Sequence, residues 1–93
     1  MTDTIFSVKG RVALVSGASS GLGEHIAEML ASHGVSVICA ARRTELLDSL
    51  AERIVAKGGK ALAVAMDVTD RASVKAGYDL AEQAFGTPDI IVC

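Results

Sequence analysis

Residues 12–15, 37–41, 61–66 and 90–93 are short, unbroken apolar runs, and a segment with helical periodicity separates each from the next. Between the first two, Leu22, Ile26, Met29 and Leu30 follow i, i+4, i+7, i+8. Leu47, Leu50 and Ile54 follow i, i+3, i+7, and Val74, Tyr78, Ala81 and Phe85 follow i, i+4, i+7, i+11. Each of these sets is one face of a helix. Apolar runs without polar alternation are the pattern of strands covered by helices on both faces. The sequence therefore predicts strands over about 11–16, 35–41, 60–66 and 89–93, and helices over about 21–33, 44–57 and 70–85.

Strict alternation of strand and helix requires parallel strands with helices on both faces. Right-handed crossovers leave few topologies, and the doubly wound one gives the order 3-2-1-4. The punctuation agrees. Gly34 and the pair Gly58-Gly59 stand where left-handed helix caps are needed. Thr44 is placed to cap the second helix, with Glu45 in its first turn, and Thr69 or Asp70 to cap the third. Thr87-Pro88 is expected to end the third helix.

Between the first strand and helix lies Ser16-Gly17-Ala18-Ser19-Ser20-Gly21-Leu22-Gly23, with glycines spaced G-x-x-x-G-x-G. Gly17 would let the chain turn off the strand, Gly21 would let a pyrophosphate approach the backbone, and Gly23 would let the helix pack close to the sheet. The helix N-terminus then faces the anion, with Ser19 and Ser20 as hydroxyl donors at the rim. The spacing is not that of the P-loop, which ends in Gly-Lys-Ser/Thr. The expected fold is thus a Rossmann-type α/β sheet ending after its fourth strand, with residues 1–93 forming part of a dinucleotide-binding domain.

This loop and its neighbours resemble the short-chain dehydrogenase/reductase family, whose pattern is T-G-x-x-x-G-x-G with Ser16 here in place of the threonine. The entry Lys9-Gly10-Arg11-Val12-Ala13-Leu14-Val15 is similar to that family, as are Ala41-Arg42-Arg43 and Pro88-Asp89-Ile90-Ile91-Val92. Asp67-Val68-Thr69-Asp70 also matches, and the resemblance implies that Asp67 and Val68 border an adenine. It further implies hydride transfer between a nicotinamide and an alcohol or carbonyl, and a homo-oligomer. The family's catalytic serine and Tyr-x-x-x-Lys pair would lie beyond Cys93. The only tyrosine, Tyr78, is followed four places on by Glu82. No catalytic residue is therefore assigned, and the 93-residue chain alone is expected to be inactive.

The end of the second strand is where such folds choose their cofactor. An acidic residue there would bind the ribose 2′-hydroxyl of NAD and repel a 2′-phosphate. Ala41 removes that repulsion, and Arg42 and Arg43 follow, with Arg42 the better placed to pair with a phosphate. NADP(H) is accordingly expected over NAD(H). The cofactor-binding set is Gly17, Ser19, Ser20, Gly21, Leu22, Gly23, Arg42, Arg43, Asp67 and Val68.

Composition narrows the remaining classes. A net charge of −2 gives no sign of nucleic-acid or anionic-membrane binding. The longest apolar runs fall far short of the roughly 20 residues that span a bilayer. Residues 1–10 contain Asp3, have no basic start, and do not form a secretory signal. A cytoplasmic protein is expected. Cys39 and Cys93 lie in apolar runs and are expected to be buried thiols. His25 and His33, eight apart, have no partners for a metal site. Two other identities compete with the oxidoreductase fragment: a stand-alone nucleotide-binding module and a truncated product without function. The stop within an apolar strand argues against the module and predicts a marginally stable chain with exposed edges.

Overall fold

A computed structural model of the chain describes residues 10–18 and 20–92. The segment 1–9, Ser19 and Cys93 lie outside these, and with them the expectations for the N-terminal segment, the Ser19 hydroxyl and the Cys93 thiol. The elements are β1 (Val12–Ser16), α1 (Gly21–Ser32), β2 (Ser36–Ala41), α2 (Glu45–Ala56), β3 (Lys60–Ala65), α3 (Arg71–Phe85) and β4 (Ile90–Val92). All pairings are parallel and the order is β3-β2-β1-β4, as the alternation requires. In register, Leu14 stands beside Ile38 and Ile91, and Ile38 beside Leu62.

Successive strand side chains point to opposite faces, so the continuous apolar runs divide into two cores. Ala13, Val15, Val37 and Cys39 pack under α1 and α2 with Leu47, Leu50 and Ile54. Val12, Leu14, Ile38, Ala40 and Val64 pack under α3 with Ala81, Tyr78 and Phe85. The central strands β1 and β2 are buried on both faces. Strand β3 is not: Ala61, Leu62 and Ala63 are only half-buried, because β3 has one strand neighbour. Asp89 ties β4 to β1, accepting from Val12 N–H at 3.1 Å while its own N–H donates to Val12 O at 2.9 Å.

Four local expectations are corrected, and one, the Asp70 cap, holds. Helix α1 does not bury the Leu22/Met29 face; its fully buried residues are Gly23, Ala27 and Ala31. Small side chains let the helix lie close to the sheet, which leaves Leu22 and Met29 outside the contact. Thr44 occupies the cap position of α2, but its backbone is helical and its side chain makes no capping bond. A cap needs extended backbone to aim its oxygen at the following N–H groups. Asp70, which is extended, does cap α3 through Ala72 N–H at 3.0 Å. Helix α3 ends at Gly86, whose φ of 99° turns the chain before Thr87-Pro88 is reached. At the end of α2 only Gly58 is left-handed; Gly59 is required by close approach to Ile54.

Candidate dinucleotide site

The carboxyl ends of the strands meet the loops at the point where the chain order reverses, between β1 and β4, the usual ligand position in open α/β sheets. There the glycine loop folds back on its own helix. Gly17, at φ 73°, turns the chain off β1, and its N–H donates to Ala40 O at 2.9 Å, fastening the turn to β2. Gly23 would, with a Cβ, place that atom 2.4 Å from Gly17 O. Its glycine requirement thus comes from contact with the loop backbone and not, as expected, from the sheet.

Ser20 caps α1. Its hydroxyl donates to Gly17 O at 2.9 Å and accepts from Gly23 N–H at 3.2 Å. That oxygen holds the loop closed, and the hydroxyl expected as a donor at the rim gives its hydrogen to Gly17 O in this structure. The Gly21 and Leu22 N–H groups find no acceptor among the described residues. A Cβ on Gly21 would meet nothing within 4 Å, so the space above the helix N-terminus is open. N–H groups without an acceptor among the described residues, the positive end of the helix dipole and free space together suit an anion.

Two hollows flank this point and share Ser16 and Gly17. One, of about 170 Å³, runs between the loop and Val92 beneath Leu22. The other, of about 510 Å³, lies over the ends of β1, β2 and β3 between Arg42, Arg43, Leu46, Met66 and Val68. Leu46 and Val68 are 66% and 65% exposed, an arrangement of apolar side chains suited to the faces of a planar ring. A third hollow, of about 420 Å³, lies between α1 and α2 near His25, Met29 and Arg53, and contains none of the loop residues.

Arg42, which lines the larger hollow, pairs with Asp67, Nε lying 3.8 Å from Oδ1. The same Oδ1 accepts from Thr69 N–H at 3.0 Å and from the Thr69 hydroxyl at 2.6 Å. The Thr69 hydroxyl, then its N–H, hold the Asp67 carboxyl below its ordinary range, with Arg42 adding least. Asp67 N–H donates to Ser73 Oγ at 2.8 Å, which fixes the backbone against the first turn of α3. Thr69, Ser73, Leu46 and Met66 were not among the expected site residues. The Asp-x-Thr spacing, which favours a side chain binding backbone two residues on, was the available signal for Thr69; Ser73 carried none. Arg43 lines the same hollow and makes no ion pair among the described residues. His25 lines the hollow between α1 and α2, His33 Nδ1 lies 2.8 Å from Met29 O, and no group of potential metal ligands is found among the described residues.

Residues 11–93 match the short chain dehydrogenase family. Gluconate 5-dehydrogenase of Gluconobacter oxydans is 40% identical over 88 residues, covering 95% of this chain and 34% of the relative. A short-chain type dehydrogenase/reductase from Mycobacterium marinum superposes with a TM-score of 0.90 at 36% identity, over 100% of this chain and 38% of that one. A metagenomic short-chain oxidoreductase solved in complex with NADP gives 0.83 at 38% identity, over 91% and 38%. A Haemophilus influenza structure with bound NAD gives 0.87 at 27%, over 90% and 30%. The chain spans about a third of the length of these proteins. The match of sequence and of sheet order, and a glycine loop built at the switch point, place the chain in the short-chain dehydrogenase/reductase family of oxidoreductases.

Proposed function

We propose that residues 1–93 form part of the dinucleotide-binding domain of an NADP(H)-dependent oxidoreductase acting on an alcohol or carbonyl. The observation that carries the cofactor assignment is at the end of β2. Ala41 leaves no carboxylate at the ribose-reading position, and Arg42 and Arg43 line the hollow beside it. The Gly21 and Leu22 N–H groups would hold the pyrophosphate, and Leu46, Met66 and Val68 would bracket the adenine beside Asp67. When bound, the nicotinamide supplies the hydride-carrying centre. This chain's residues bind and orient; none is assigned to proton transfer, since no Tyr-x-x-x-Lys pair occurs in it. A cytoplasmic location and a homo-oligomeric assembly belong to the same proposal. Among the described residues no helix is long and apolar enough to cross a membrane.

Calorimetric titration of Arg42→Ala tests the assignment. Loss of a charge-assisted contact of about 1.5–3 kcal/mol should weaken NADP binding roughly ten- to a hundredfold and leave NAD nearly unchanged. Equal weakening of both would remove Arg42 from 2′-phosphate recognition. The 93-residue chain should also show no turnover of NADPH with carbonyl compounds. Sustained turnover would place catalytic groups within these residues.

A further inference from the structure

Arg42, just past the end of β2, lines the larger hollow, and Asp67, just past the end of β3, sits between Met66 and Val68, which line it too; Arg42 Nε lies 3.8 Å from Asp67 Oδ1. If Arg42 reads a 2′-phosphate, as proposed above, its guanidinium has two anionic claimants. Among the described residues Asp67 is the one carboxylate paired with Arg42. The pair is long because Oδ1 already accepts two hydrogen bonds from Thr69. A direct charge-assisted bond would bring the two groups to roughly 2.7–2.9 Å. Thr69 therefore holds the carboxylate in place and partly satisfies it, leaving Arg42 loosely tethered at 3.8 Å.

We propose that Asp67 is a specificity-determining residue acting through Arg42: it competes with a ligand's ribose 2′-phosphate for the guanidinium, and Thr69 sets the strength of that competition. The inference rests on the dinucleotide assignment above. Its consequence is a tempered preference for the phosphorylated dinucleotide, since each binding event must release Arg42 from Asp67. The side chains are 75% and 39% exposed, so solvent screens the pair and the effect is modest, about two- to fivefold.

The test is the ratio of NAD to NADP dissociation constants, measured by calorimetry on the 93-residue chain. Whatever Asp67 contributes to the base is common to both ligands and cancels in the ratio. Asp67→Asn keeps an oxygen for Thr69 and removes the charge; the ratio should rise about two- to fivefold in favour of NADP. In an Arg42→Ala background the same change should leave the ratio unmoved, the signature of an effect that runs through Arg42. Thr69→Val removes the hydroxyl's bond to Oδ1 and keeps the N–H's, which loosens the hold on the carboxylate and should lower the ratio, and Thr69→Ser should restore it. An unchanged ratio in Asp67→Asn overturns the proposal. So does an equal shift with and without Arg42, which would show only the long-range field of the carboxylate. If both dinucleotides bind and Asp67 leaves their ratio alone, this inference falls and the dinucleotide assignment stands. If neither binds the unmodified chain, both fall together.

Discussion

Gly23→Ala isolates the contact on which the glycine loop depends. The new Cβ would lie 2.4 Å from Gly17 O, 3.0 Å from Gly17 C and 3.0 Å from Ala18 Cα, all backbone atoms. A side chain could rotate away, but here the turn itself must retreat until the closest contact exceeds 3.0 Å. That movement pulls on two fastenings at once: Gly17 N–H to Ala40 O, and the Ser20 hydroxyl between Gly17 O and Gly23 N–H. Overpacking of this kind costs about 1–3 kcal/mol. Replacing glycine restricts the unfolded chain and offsets about 0.4–1 kcal/mol of that. The net loss is about 1–2 kcal/mol, a fall in melting temperature of roughly 5–15 °C for a domain of this size. Urea and thermal unfolding followed by circular dichroism would measure it. A variant as stable as the parent would refute the claim that the helix start is seated on the loop backbone.

Gly21→Ala should behave in the opposite way, because its Cβ meets nothing within 4 Å. Stability should change by no more than about 0.5 kcal/mol, while calorimetry should show NADP and NAD weakened together; unaltered affinity for both would mean the pyrophosphate lies elsewhere. Burial pushes the Cys39 thiol from 9.0 up to about 11. The folded state then holds that proton more tightly, so the stabilisation is complete below pH 9 and is lost as the pH rises towards 11, by up to about 3 kcal/mol. Denaturation curves across this window should be steeper in pH for the parent than for Cys39→Ala, and equal slopes would show that Cys39 is not the group responsible. Asp70→Ala removes the cap that accepts from Ala72 N–H and should destabilise by about 1 kcal/mol, read from the urea midpoint.

The sequence by itself determined the sheet and the place of the glycine loop. Its apolar runs and helical faces alternate without exception, and parallel strands joined by right-handed crossovers then admit the order β3-β2-β1-β4. The glycine spacing located the loop at the switch point, and Leu47, Leu50 and Ile54 were legible as the buried face of α2 because large apolar side chains carry the period. Helix α1 was misread for the complementary reason. Its contact with the sheet is made by Ala27 and Ala31, with Leu30 of the expected face half-buried beside them, and the value of the alanines lies in how little space they take, which hydrophobicity does not register. Only the tertiary structure decided which polar groups meet. The Ser20 hydroxyl found Gly17 O once the loop curled back on its helix, and Asp89 found Val12 once β4 lay beside β1. Arg42 and Asp67 belong to different strand ends, and the parallel register that aligns Ala41 with Ala65 brings those ends together. Local pattern records what each segment buries, but a contact between two loops depends on the register of the strands that carry them, and that is fixed only when the sheet assembles.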